Sequence, residues 1–146
     1  MEYKGTLSSF GIKNINAPGL GEKLSDLLHI SSAVVIPANT TTVITSGQTG
    51  YTQDMVYPSD VKEQIMLAFH NVEDALRAAG VSDGWKAVYQ MTTYHAGGLT
   101  DEVSEGLETA VEKYFQGNRP AWSGIGVEAL YGGAKIEITV SAAMKG

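Results

Sequence analysis

The chain has 146 residues, of which 43% are hydrophobic and 18% charged, and its formal net charge is -6. This length allows one well-buried core and is too short for two ordinary domains, so we expect a single domain over residues 1–146. An acidic chain without a cluster of basic and aromatic residues would repel a phosphate backbone, which argues against a nucleic-acid partner. The absence of cysteine excludes disulfides, a thiolate nucleophile and a cysteine-based metal site.

The N-terminal segment carries no apolar stretch of the kind that forms a secretory signal. The longest apolar run, Ala33 to Pro37, is far shorter than a membrane-spanning helix requires. We therefore expect a cytoplasmic protein with no membrane partner.

The first third of the chain predicts short extended elements. Residues 1–14 indicate a strand or an extended arm, which the sequence Ala17-Pro18-Gly19 interrupts. The segments 27–36 and 40–46 are rich in β-branched residues and predict two strands joined by a turn. The first of these segments could instead begin as a short helix.

Two amphipathic helices are predicted in the second half. Ser59 and Asp60 both offer an N-cap, and apolar residues then recur at steps of three and four from Val61 to Ala79. Thr100 offers the second N-cap, with acidic residues in the first turn and an apolar stripe from Val103 to Phe115. Each helix therefore has one face to bury.

Three further strands are predicted over residues 85–94, 121–130 and 134–142, and Gly132-Gly133 predicts a tight hairpin between the last two. In that register three apolar pairs form, and we expect them to lie under the helices; they are Ile125 with Val140, Val127 with Ile138, and Ala129 with Ile136. The opposite face would be open to a ligand or to another subunit; it would carry Trp122, Gly124, Gly126, Glu128, Glu137, Thr139 and Ser141.

Few side chains suggest chemistry. Glu137 would lie beside Glu128, and such a pair can raise one pKa toward neutral, although two solvated strand glutamates give the same pattern. His95, at a strand end, could be a general acid or base or simply an exposed loop histidine. The segment Ser46-Gly47-Gln48 could cradle a ligand through backbone N–H groups or be only a turn. The histidines lack ligand-like spacing, so we predict no metal and no cofactor.

The order of these elements and several motifs resemble a known family over about Val43 to Ala143. The motifs are Ile44-Thr45-Ser46-Gly47-Gln48, Asn71-Val72, Ala78-Ala79-Gly80, Val88, Tyr114-Phe115, Arg119-Pro120-Ala121 and Lys135-Ile136-Glu137-Ile138. The chain resembles the Rid (YjgF, L-PSP) family of imine deaminases. This resemblance implies an α+β fold, a mixed β-sheet with two helices packed on one face, assembled as a homotrimer.

The resemblance also points to a site that differs from the family's. There, a Pro-Ala-Arg-Ser segment supplies an arginine that holds the substrate carboxylate, and a glutamate positions a water. Here the segment reads Pro120-Ala121-Trp122-Ser123, while Glu137 falls on the family's glutamate. Arg119 is expected on the other face of the strand and does not replace the lost arginine. The family's Gly-Pro-Tyr motif is also missing at Ile30–Val34, so we expect carboxylate substrates to bind poorly.

We therefore expect an enzyme that acts on an imine, enamine or related small molecule by acid/base catalysis. Trp122 and Glu137 would lie on the order of 20 Å apart along the hairpin, which favours a ligand site between subunits. The predicted catalytic residues are Glu137 and His95, and the predicted ligand contacts are Trp122, Ser46, Gly47, Gln48, Ser123, Gly124 and Glu128. The alternatives are a non-catalytic trimer that binds a small metabolite or a protein, and an isomerase or cyclase with a larger ligand.

Overall fold

A computed structural model describes residues 1–145 and leaves only Gly146 outside the described part. A small antiparallel sheet near the N-terminus has the strand order β1–β2–β3. Its strands are β1 (Glu2–Tyr3), β2 (Lys13–Ile15) and β3 (Ala33–Val35). The helix α1 (Leu20–Leu28) connects β2 to β3.

The main sheet is mixed. Its strands are β4 (Thr41–Ile44), β5 (Gln48–Thr49), β6 (Val88–Ala96), β7 (Ala121–Val127) and β8 (Ile136–Met144). Strand β8 pairs antiparallel with β4 and β5 on one side and with β6 on the other. Strand β7 runs parallel to β6 and forms the outer edge of the sheet.

The two predicted helices form as α2 (Val61–Ala78) and α3 (Asp101–Tyr114). Both predicted caps are present, since the Asp60 side chain accepts from the Lys62 N–H and the Thr100 hydroxyl from the Val103 N–H. The helices bury their apolar residues on one side of the main sheet. We call this side the helix face and the other side the open face. The predicted α+β fold with a mixed sheet is confirmed.

The predicted hairpin between the last two strands is wrong, because β6 lies between them. Parallel strands need a long crossover, and α3 returns the chain so that β7 runs beside β6 in the same direction. The connection to β8 then passes the end of β6, where the Ala96 N–H donates to the Lys135 carbonyl at 3.1 Å. Since β8 does not pair with β7, the predicted pair of Glu137 with Glu128 does not form; Glu137 has Tyr94 and Thr49 as cross-strand neighbours.

The change of topology also reverses the predicted faces of β7. Trp122 and Gly124 lie on the helix face, where both adjoin the buried Thr93 hydroxyl. Ile125 points the other way and is 44% exposed on the open face. The parallel register with β6 fixes this outcome, because it places Trp122 beside the buried Met91 and Ile125 beside Tyr94.

Helix α1 was not among the two predicted helices, but the alternative that the segment from residue 27 begins as a short helix is correct for Leu27 and Leu28. The segment predicted as a strand from residue 27 contains the end of this helix, and β3 begins only at Ala33. The Gly19 N–H donates to the Glu22 carboxylate at 3.0 Å, which supports the first turn. Leu27 and Leu28 at its C-terminal end remain exposed, at 72% and 45%. These two leucines, which contributed to the predicted strand, therefore lie on the surface of a helix.

Candidate functional site

A pocket of about 310 Å³ lies beside Glu137 on β8. The segment from Gly47 to Tyr51, the Tyr131 turn and Asn71 of α2 line its other sides. Strand β5 pairs with β8 so that Thr49 lies opposite Glu137, which places the Gly47–Gln48 segment against the carboxylate. The structure thus brings together three of the predicted site residues, Gly47, Gln48 and Glu137.

Gly47 allows the chain to pass directly over the Glu137 carboxyl group. A Cβ atom at position 47 would lie 2.5 Å from Glu137 Cδ and 2.6 Å from its Oε2. No side chain fits in that space unless the carboxyl group moves. The glycine therefore fixes how closely the loop covers the half-buried glutamate.

Asn71 holds this loop in place from α2. Its Nδ2 donates to the carbonyl oxygens of Thr49 at 2.8 Å and Tyr51 at 3.0 Å. Both carbonyls belong to a segment with little regular structure, so the amide supplies hydrogen bonds that a sheet would otherwise give. From the sequence, Asn71 was expected only as part of a family motif, and this structural role was not predicted.

Two stacked tyrosines support the far wall of the pocket. The rings of Tyr51 and Tyr57 lie 4.1 Å apart between centroids and 12° from parallel. The Tyr57 hydroxyl donates to the Tyr131 carbonyl at 3.1 Å and lies 3.0 Å from the Thr49 hydroxyl. Because Tyr57 has a single O–H proton, Thr49 is the donor in that second bond.

The Tyr57 phenol stays neutral in this setting. Burial raises the pKa of Tyr57 to about 12, and the nearby Tyr51 and Glu137 add to the rise, while the hydrogen bond from Thr49 opposes it. Neither Tyr51 nor Tyr57 was predicted as a site residue from the sequence. Their spacing of six residues in an irregular loop gave no periodic signal that would have placed them together.

His95 does not reach the Glu137 pocket. Its side chain is fully buried on the helix face, with Nε2 at 2.8 Å from the Thr93 hydroxyl. Burial lowers the pKa of His95. A general acid or base must come within hydrogen-bond reach of its substrate, so the predicted catalytic role of His95 at this site does not fit its position. His95 is also not the exposed loop histidine of the alternative interpretation, because it is buried.

Trp122 also lies away from Glu137. Its Nε1–H donates to the Thr93 hydroxyl at 3.1 Å, and its ring meets Phe115 edge-on with centroids 6.3 Å apart. The two predicted site residues thus lie on opposite faces of the sheet, with β6 between their strands. The sequence predicted that one chain cannot present both Trp122 and Glu137 to a single small ligand. The structure agrees, but the reason is that the two residues lie on opposite faces of the sheet, not that a long hairpin separates them.

The remaining predicted contacts are scattered. Ser46 and Ser123 are exposed, and Glu128 follows the end of β7, outside the Glu137 pocket. Gly124 lies on the helix face next to Thr93 and Leu99. None of these four lines the Glu137 pocket in the described chain.

Arg119 is held by contacts that the sequence did not predict. Its guanidinium donates to the Ser25 hydroxyl at 3.0 Å and to the Asp26 carboxylate at 2.8 Å. The same group stacks over the Tyr3 ring, 4.1 Å from its centroid. It therefore joins α1 and β1 to the start of β7 and is not available to hold a ligand carboxylate.

Two kinds of feature are not found within residues 1–145. No cluster of three or more His, Asp or Glu side chains there is arranged to bind a metal ion. None of the helices in the same range combines the length and apolar character needed to cross a membrane.

Comparison with known proteins relates this chain to one family. The family model described as Endoribonuclease L-PSP matches residues 26–144. No curated protein is similar enough to this chain to count as a match.

Solved structures share the fold. A protein of unknown function of the conserved Rid family from Yersinia pestis, YyfB, aligns with a TM-score of 0.78 at 23% identity, over 91% of this chain and 98% of that one. E. coli TdcF with bound serine aligns with a TM-score of 0.63 at 28% identity, over 75% and 85%. RidA from an Antarctic Psychrobacter aligns with a TM-score of 0.64 at 22% identity, over 90% and 94%.

Proposed function

Because the chain belongs to the endoribonuclease L-PSP family, which includes the Rid and YjgF proteins, we propose that it is a cofactor-free enzyme that hydrolyses imines, with Glu137 as its acid/base group. Enamines would enter the same route after protonation at carbon. The observation that carries the proposal is the half-buried Glu137 carboxylate in a pocket of about 310 Å³, covered by Gly47. Family membership supports a deaminase-like activity in general, and the position of Glu137 supports its role.

In the proposed reaction, Glu137 positions a water molecule beside the imine carbon. As the water oxygen bonds to that carbon, the carboxylate accepts one of its protons and passes it to the nitrogen. The C–N bond of the resulting carbinolamine then breaks as its hydroxyl proton passes to the nitrogen, which releases ammonia, or an amine, and leaves a carbonyl compound. One water is consumed and no electrons are transferred overall.

The preferred substrate in this proposal carries no carboxylate next to the imine carbon. The related TdcF structure contains serine, an amino acid with a carboxylate. In the present chain Trp122 stands where the resemblance places the carboxylate-binding arginine, and Arg119 is held by Asp26. An indole offers only stacking and one N–H, so it cannot replace a charge-assisted pair worth about 1.5–3 kcal/mol.

We also propose that the site is completed in a homotrimer. Glu137 lies on the open face, which is not covered by α2 or α3, and Ile44 on the same face is 76% exposed. A second copy that covers this face can contribute side chains to the Glu137 pocket. Light scattering should then give three times the chain mass of 15.5 kDa. A stable monomer at micromolar concentration would contradict this part of the proposal.

The direct test compares Glu137→Gln with Glu128→Gln. Both changes remove one carboxylate, but Glu128 lies outside the pocket. Imines are generated in situ: an amine oxidase supplies imines that lack a carboxylate, and an amino-acid oxidase supplies imines that carry one. Ammonia release is then measured above the uncatalysed rate. We expect Glu137→Gln to lower kcat/KM by about 100-fold or more and Glu128→Gln to leave it unchanged. Equal activity of wild type and Glu137→Gln would refute the assignment.

A non-catalytic binding protein is the second candidate. The observation that favours it is Trp122, since the loss of the arginine removes the family's means of holding its substrates. In that case no imine would be hydrolysed above the uncatalysed rate. Glu137→Gln would then alter only the affinity for a ligand, measured by calorimetry.

A further inference from the structure

A cavity of about 410 Å³ lies between the N-terminal segment and the turn that precedes β6. The 3-10 helix Thr6–Phe10 and the adjoining Gly5 form one wall, and Asp83 and Lys86 form the other. The first wall precedes residue 26, where the family match begins. This cavity is therefore built largely from a part of the chain that the family pattern does not include.

The cavity is also separate from the proposed imine site. It shares no lining residue with the Glu137 pocket. Lys86 precedes β6, whose first residue, Val88, pairs with Ala142 of β8. From Ala142 to Glu137 the strand extends on the order of 17 Å, at about 3.3 Å per residue.

Hydrogen bonds hold the two walls of the cavity together. The Thr6 hydroxyl donates to the Lys86 carbonyl at 2.7 Å, and the fully buried Leu7 anchors the 3-10 helix in the core. The Ser9 hydroxyl donates to the Thr6 carbonyl at 3.2 Å. Ser8, in contrast, is exposed at the cavity, where its hydroxyl can donate to a ligand.

The charge in this cavity is positive, although the chain as a whole carries a formal net charge of -6. Lys86 is partly buried and takes part in no ion pair in the described part of the chain. The charge of Asp83 is offset by Lys145, at 3.8 Å. The Lys145 ammonium also lies 4.9 Å from the centroid of the Phe10 ring, so a second cation borders the cavity. This local field attracts an anion.

We infer that the cavity between the 3-10 helix Thr6–Phe10 and Lys86 binds a small organic anion, with its anionic group beside Lys86 and Ser8 and its apolar part on Phe10. The lysine ammonium and the serine hydroxyl both donate hydrogen bonds to phosphate or carboxylate oxygens. Phe10 is only partly buried, and a ring that covers it gains from the hydrophobic effect. A volume of about 410 Å³ is sufficient for one ring and one anionic group.

Three probes that share a benzene ring test this inference. Phenyl phosphate and benzoate are the anionic probes, which distinguish a phosphate ligand from a carboxylate ligand, and phenol is the neutral probe. The full chain is titrated with each probe and followed by 15N NMR. The amide signals of Ser8, Ser9 and Lys86 report on the cavity, and those of Gly47 and Gln48 report on the Glu137 pocket as an internal control.

We expect the anions to shift the Ser8, Ser9 and Lys86 signals in a saturable way and to leave the Gly47 and Gln48 signals in place. The better anion should bind about two- to fivefold more tightly than phenol, since Lys86 is partly exposed and its ion pair is screened. Added sodium chloride should reduce this preference without changing the affinity for phenol. The order of phenyl phosphate and benzoate then assigns the kind of anion.

Two substitutions should change the preference in opposite directions. Lys86→Gln should remove it, and the fold should persist because Thr6 bonds to the backbone carbonyl of residue 86. Asp83→Asn should strengthen anion binding by about twofold, since it removes the one carboxylate from the lining. The Asp83 side chain makes no capping hydrogen bond, so this change should also leave the fold intact.

Two further variants serve as controls. Lys23→Gln removes an exposed lysine that lies outside the cavity, and it should preserve the preference for anions. Glu137→Gln should leave probe binding unchanged, so failure of the imine proposal and failure of this inference can be told apart. The inference is overturned if no probe shifts the Ser8, Ser9 and Lys86 signals, if phenol binds as tightly as both anions, or if Lys86→Gln keeps the preference.

Discussion

Gly47 and Glu137 are in direct contact across two neighbouring strand segments, and the space between them excludes even a methyl group. A Cβ atom on residue 47 would lie 2.5 Å from Glu137 Cδ, well inside van der Waals contact. The backbone of Gly47 is not in the left-handed region, so the constraint is purely steric. The Glu137 carboxylate can therefore hold its position only because residue 47 has no side chain.

Gly47→Ala should displace the Glu137 carboxyl group. We expect the free energy of unfolding to change little, because the overlap is with the movable end of a side chain, and imine turnover to fall by about tenfold or more because the carboxylate no longer holds its water. Urea denaturation and ammonia release measure the two effects. Gly126→Ala is the control, since a Cβ there would have its nearest neighbour at 3.7 Å. Full turnover in Gly47→Ala would mean that the carboxylate's position does not matter for activity.

Asn71→Ala should weaken the loop over the pocket. The change leaves the Thr49 and Tyr51 carbonyls without their side-chain donor, at a cost of about 1–3 kcal/mol. Hydrogen exchange of the amides from residue 47 to 51 should become faster, while exchange in α3 should not. His70→Ala, on the same helix but at an exposed position, should change neither quantity. Unchanged exchange in the loop would show that Asn71 does not hold it.

Stability at high pH should depend on Tyr57. Its folded-state pKa of about 12 lies above the usual value of 10.0, so the neutral phenol is favoured in the native state. This contribution is complete below pH 10 and is lost as the pH rises from about 10 to about 12, because the unfolded chain ionises first. Allowing for partial exposure, we expect wild type to lose about 1 kcal/mol more than Tyr57→Phe over that range. Urea denaturation at several pH values would refute this if the two proteins lost stability in parallel.

At low pH, stability should depend on His95. Because burial lowers the pKa of His95, the unfolded chain binds a proton more readily than the native one. The stabilisation is present above about pH 6.5 and is lost as the pH falls toward the native-state pKa, with a slope of up to about 1.4 kcal/mol per pH unit. His70→Gln, an exposed histidine paired with Asp74, should retain this dependence, whereas His95→Gln should flatten it. An unchanged slope in His95→Gln would assign the acid sensitivity to other groups.

Assembly should depend on the apolar side chains of the open face. Ile44 is 76% exposed there, and Ile44→Glu should place a charge in the proposed subunit contact and convert the trimer to monomers. Val35→Glu, at a residue of the small sheet that is 54% exposed, is the matched control and should remain trimeric. Sedimentation of both variants checks the result; a trimer that survives Ile44→Glu would place the contact elsewhere.

Local patterns predicted the elements whose stability is largely local. The helices α2 and α3 begin at their predicted caps, Asp60 and Thr100, because a cap side chain bonds to backbone groups only two or three residues away. The strand β6 alternates between buried and accessible residues after Tyr89, as its sequence indicated, but it begins at Val88 rather than at the predicted residue 85, because residues 84–87 form a 3-10 helix. The family resemblance, with Glu137 as its glutamate, could likewise be found from short motifs and their spacing.

Pairing between distant segments was not predictable in the same way. Gly132-Gly133 has the local signature of a hairpin, yet β7 and β8 bind to opposite sides of β6, since burial of the α3 crossover outweighs a tight turn. That choice moved Trp122 to the helix face and separated Glu137 from Glu128. It also placed Tyr51, Tyr57 and Asn71 around Glu137, although no periodic pattern in the sequence connects them.

The sequence by itself therefore determined the family, the two capped helices and the glutamate, because each depends on residues close together along the chain. Only the tertiary structure decided which side chains share a pocket. Glu137 meets Gly47 through the pairing of β8 with β5, and Trp122 of β7 lines one cavity with Leu107 of α3. The physical reason is that strand order is set by the burial of whole faces, a property of the complete sheet that no single segment encodes.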